Sequence, residues 1–87
     1  MKLVLAILKD DDIEAVLLAL TAQDFRATRV ASTGGFFRKG SATLLVGVQD
    51  NQVEAAIQVM REKTTPAEEG FKRGTIFVLP IERYEQL

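Results

Sequence analysis

The chain of 87 residues has room for one hydrophobic core, so residues 1–87 are expected to form a single domain. It contains no cysteine and no histidine, which excludes disulfides, the commonest zinc ligand and the Cys–His and Ser–His–Asp arrangements of nucleophilic catalysis. The net charge of −1 is unevenly spread: Phe25 to Gln49 holds no acidic residue, and Arg26, Arg29, Arg38 and Lys39 give it +4, leaving −5 for the remainder. Such a local positive field in a nearly neutral protein suits a small anion better than DNA or RNA, which need a broad basic face.

Met1-Lys2 is followed by the apolar run Leu3–Leu8, which Lys9 and three aspartates end. That run reads as a buried strand. It is too short for a secretory leader or a membrane span, so a cytoplasmic protein without membrane insertion is expected. The Asp10-Asp11-Asp12 run opens a helix, where carboxylates favour the dipole and Asp11 with Glu14 resembles a capping box. Capping explains these aspartates without a metal. Ile13, Val16, Leu17 and Leu20 give that helix one apolar face.

Phe25–Thr33 reads as a strand of mixed polarity, and Gly34-Gly35-Phe36-Phe37-Arg38-Lys39-Gly40 as a glycine-bearing turn or loop. Ala42–Val48 is a second buried strand, completing a hairpin. Asp50 or Asn51 is placed to cap a second helix with Val53, Ile57 and Met60 on one face and Ala56 beside them, ending near Lys63. A polar segment, Thr64–Gly74, leads to a last strand, Thr75–Leu79, and a tail from Ile81 to Leu87.

This order predicts an α+β, ferredoxin-like β-α-β-β-α-β domain: an antiparallel four-stranded sheet with two helices on one face. Leu3–Leu8, Ala42–Val48 and Thr75–Leu79 are apolar at both parities, so both sheet faces call for burial, although the helices cover only one. Another chain on the second face, hence an oligomer, is the expected remedy.

The runs Phe25-Arg26-Ala27-Thr28, Ser32-Thr33-Gly34-Gly35-Phe36-Phe37-Arg38 and Gly47-Val48 resemble the cyclic di-AMP receptor family of P-II-like proteins. So do Thr75-Ile76-Phe77-Val78-Leu79-Pro80 and Gln86. The resemblance implies a bacterial, cytoplasmic homotrimer that binds cyclic di-AMP in clefts between subunits, signals without catalysis and needs no cofactor or metal. Carried over by position, the ligand contacts are Arg26, Thr28, Gly35, Phe36, Phe37, Ser41, Gly47, Phe77 and Gln86. In chemical terms, Arg26 and Thr28 offer charge-assisted and hydroxyl hydrogen bonds to phosphate. Gly34-Gly35 offers an amide nest, Phe36 and Phe37 offer stacking surfaces, Gly47 leaves room for a base, and Gln86 offers a donor and an acceptor. Read without the resemblance, Arg26 is a surface strand residue, the phenylalanines pack on a neighbour and Gly47 marks a bulge.

Two features depart from the family pattern. Asp24 and Ser41 stand where the family typically has asparagine, and the Thr64–Gly74 loop is shorter than its counterpart. The loops 34–40 and 64–74 are also where a protein partner would dock. Two further readings are a P-II-like trimer that binds another adenine nucleotide or anion, and an adaptor or assembly protein with no small ligand.

Overall fold

In the computed structural model, residues 1–30, 40–66 and 73–87 are described. Strand β1 (Lys2–Lys9) runs directly into helix α1 (Asp10–Ala22), followed by β2 (Arg26–Val30), β3 (Ser41–Val48), a short 3-10 turn (Asp50–Gln52), α2 (Val53–Lys63) and β4 (Gly74–Pro80). The four strands form one antiparallel sheet in the order β2-β3-β1-β4. This is the expected ferredoxin-like arrangement, with strand bounds shifted by a residue or so. Of the expected strand Phe25–Thr33, the last three residues lie outside the described residues.

Parity divides the sheet into two unequal faces. Val4, Ala6 and Leu8 of β1 and Ala42, Leu44, Val46 and Val48 of β3 are buried on the side that carries the helices. They pack with Ile13, Val16 and Leu20 of α1 and Ala56, Val59 and Met60 of α2. Each buried valine, leucine, isoleucine or methionine among them contributes roughly 1.5–3 kcal/mol of burial, so this layer holds the domain together. The apolar stripe of α1 is the one its spacing predicts. On α2 the buried stripe is Ala56, Val59 and Met60, while Val53 packs against the core only partly buried.

The helix starts differ from expectation. Because β1 passes into α1 without a loop, Lys9 occupies the cap position and makes no side-chain bond. Asp11 is then already inside the first turn, where its side chain no longer reaches back as a cap, so the Asp11–Glu14 box does not form. Neither Asp50 nor Asn51 caps α2: both sit in the 3-10 turn, and the backbone N–H of Gln49 donates to Gln52 Oε1 at 3.0 Å instead.

The first turn of α1 has a tertiary role. Asp12, only 5% exposed, accepts from the Thr65 backbone N–H at 3.1 Å and from the Thr65 hydroxyl at 2.5 Å. Asp10 pairs with Arg29 at 3.2 Å, and its N–H donates to the Gly40 carbonyl at 2.8 Å. One helical turn therefore fixes the end of β2, the start of β3 and the exit of α2. At Gly74 a Cβ would stand 2.6 Å from Leu8 Cδ2 and 2.7 Å from the Ile7 carbonyl oxygen, so only glycine lets β4 begin this close to β1. No described helix is long and apolar enough to cross a membrane.

Candidate ligand-binding face

The face without helices is built from the other parity. Three rows cross it: Arg26, Gly47, Leu3 and Leu79; then Thr28, Leu45, Leu5 and Phe77; then Val30, Thr43, Ile7 and Thr75. Leucine, isoleucine and phenylalanine dominate it, and Phe77 and Leu79 remain 50% and 43% exposed. Among the described residues the two-faced apolar strands thus leave one apolar face without helices and partly exposed, as their composition predicts.

Arg26 and Thr28, both exposed, stand together on this face at the β2 edge. Alternation puts them there, since residues two apart in a strand point to the same side. Asp24 holds a positive φ of 64° at the turn that feeds β2, a conformation aspartate tolerates better than most residues. Arg26 makes no salt bridge among the described residues. Arg29 has the opposite parity and is held by Asp10, so it contributes no free cation to this face.

Gly47 lies directly across from Arg26. A Cβ built there meets nothing within 4 Å among the described residues, so their packing does not require glycine at this position. The missing side chain leaves a flat, open floor beside a guanidinium. No bulge is present, because the β1–β3 register runs through Gly47 without a break and the β2–β3 register begins in step at the Arg26–Gly47 pair.

Other candidates do not join this cluster within one chain. Phe77 is on the same face but on β4, at the far edge of the sheet. Three strand spacings separate it from β2, about 14 Å. Ser41 opens β3, six residues from Gly47, about 20 Å along the strand. Gln86 is exposed in the tail, which is joined to β1 through the Ile81 N–H to Met1 carbonyl bond of 3.2 Å. Gly35, Phe36 and Phe37 lie outside the described residues. Of the expected partner loops, 34–39 and 67–72 do as well. A groove lined by Leu8, Ile57, Met60, Ile76 and Val78 opens between α2 and β4 on the helix side and contains none of the candidates. Among the described residues, no group of three or more Asp or Glu is placed to hold a metal ion.

Sequence reasoning missed two polar residues. Asp12 was assigned to the helix dipole, yet it serves as a buried acceptor for Thr65, a contact between residues 53 apart in sequence. Thr43 is a buried polar residue in a strand whose other polar side chain is Ser41 at its start, and its place within the apolar run Ala42–Val48 is the one signal that sets it apart.

A family model described as cyclic-di-AMP receptor matches residues 1–69. The chain belongs to the cyclic di-AMP receptor family. The match spans β1 through α2 and includes Arg26, Thr28, Ser41 and Gly47. Membership accords with the fold and with a protein that binds a nucleotide ligand. The structure is also similar to a solved protein of unknown function from Pediococcus pentosaceus ATCC 25745, at 27% identity and a TM-score of 0.80, covering 99% of this chain and 96% of the other. That similarity takes in β4 and the tail, which lie beyond the family match.

Proposed function

We propose that this receptor-family chain works as a cytoplasmic homotrimer that binds cyclic di-AMP in clefts shared by adjacent subunits and passes the signal on without catalysis. The observation that carries the reading is the division of the candidate residues between two edges of one exposed apolar face. Arg26, Thr28 and Gly47 lie at the β2 side and Phe77 at the β4 side. A head-to-tail ring sets the β2 edge of one subunit beside the β4 edge of the next, and three such contacts close. The phosphate then meets Arg26 and Thr28, an adenine lies over Gly47, and the neighbour's Phe77 supplies an aromatic surface. The same contact covers the exposed leucines. Ser41, Gly35, Phe36, Phe37 and Gln86 are assigned to the ligand on the resemblance alone.

Calorimetric titration with cyclic di-AMP, AMP, ATP and cyclic di-GMP tests the ligand, and sedimentation equilibrium tests the trimer. Binding is expected to be tightest for cyclic di-AMP. Preference for a different adenine nucleotide would replace it as the ligand, and no heat with any of them would favour a ligand-free adaptor. Arg26→Ala removes a charge-assisted bond and is expected to weaken cyclic di-AMP about ten- to a hundredfold with the trimer intact. A wild-type dissociation constant in that variant would remove Arg26 from the site.

A further inference from the structure

Thr43 is 3% exposed, and its hydroxyl oxygen is buried with no hydrogen-bond partner among the described residues. It lies on the helix-free face, in the row with Val30 and Ile7, next to the row that carries Thr28. Both neighbours are apolar and half-buried, so nothing in that row satisfies the hydroxyl. Valine has nearly the same shape, suits a strand and would remove the desolvation cost of an unpaired hydroxyl. A hydroxyl that is unfavourable in the free chain and sits between Ser41 and Gly47 on the same strand face is accounted for if its partner arrives with the ligand.

Building on the cyclic di-AMP reading, we infer that Thr43 is a further ligand-binding residue, whose hydroxyl hydrogen-bonds a base edge of the bound dinucleotide. Arg26 stands four residues of strand away, about 13 Å, and Thr28 about 7 Å. Phosphate recognition therefore belongs to the Arg26 end, and the neutral hydroxyl, both donor and acceptor, matches the mixed edge of adenine. Val30 and Ile7 flank the hydroxyl and are only half-buried, so a shift of these two side chains is what a ligand needs to reach it.

The test compares Thr43→Val and Thr43→Ser with wild type by thermal unfolding without ligand and by calorimetry with cyclic di-AMP. The thermal midpoint is expected to order as Val above Thr above Ser, with a rise of about 2–5 °C for Val. Affinity should follow a different order, with Ser within about threefold of wild type and Val weaker by about tenfold. Thr43→Val with wild-type affinity would overturn the inference, and a lowered midpoint would show that the hydroxyl already has a partner in the free protein. Wild type that fails to bind cyclic di-AMP would instead overturn the ligand assignment on which the inference rests. In the first failure wild type and Thr43→Val both bind, and in the second wild type does not.

Discussion

Gly47→Val is expected to abolish cyclic di-AMP binding, by on the order of a hundredfold or more, while leaving the domain as stable as before or slightly more so. The loss follows from geometry. Gly47 is exposed beside Arg26, and the space above it is open, so the added isopropyl group stands where a base would lie. The gain in stability comes from local physics. Glycine costs about 0.5–1 kcal/mol in a strand interior, and a β-branched residue suits the pleat. Had glycine served the interior of the chain, the same change would destabilise it, as it does where a Cβ meets backbone. Far-UV circular dichroism, chemical denaturation and calorimetry separate the two effects. A variant that unfolds early, or that binds like wild type, would contradict the role given to Gly47.

Asp12→Ala is expected to cost about 3 kcal/mol, a fall of more than about 10 °C in the thermal midpoint for a domain of this size. The carboxylate is buried and accepts two hydrogen bonds from Thr65, and bonds to a charged acceptor contribute about 1.5–3 kcal/mol each. Removing it also leaves the Thr65 N–H without its acceptor. Asp12→Asn keeps one acceptor oxygen and should lose about half as much. The double variant with Thr65→Ala should lose less than the sum of the single changes, because the two residues share one interaction. Additive losses in denaturant melts would show that Asp12 stabilises the fold by another route, such as the helix dipole. Asp11→Ala, one residue away in the same acidic run, should change stability by no more than about 0.5 kcal/mol.

These two residues show what the sequence carries and what it does not. Alternation is a local property, so the shared face of Arg26, Thr28 and Gly47 could be read from spacing, as could the uncovered apolar face. The periodicity of α1 was equally plain. Asp12 lies in the first helical turn as expected, but its tertiary role is not legible, because its partner Thr65 is far along the chain and no local pattern joins the two. The expected helix caps failed for a related reason: the strand-to-helix junction at Lys9 fixes the first turn, and side-chain preferences only adapt to it. The separation of Phe77 from Arg26 was not visible either. Strand order decides it, and strand order is set by how the two βαβ halves interleave.

Mixed trimers test the shared site most directly. Arg26→Ala and Phe77→Ala proteins, each titrated alone with cyclic di-AMP, should bind weakly, since every interface in either homotrimer lacks one of the two side chains. After joint unfolding and refolding in equal amounts, about a quarter of interfaces would combine an intact Arg26 from one chain with an intact Phe77 from its neighbour. Titration should then recover near-wild-type affinity at roughly that fraction of sites. Recovery of no tight sites, with trimers confirmed by sedimentation, would contradict a cleft shared between subunits and place the whole ligand on one chain.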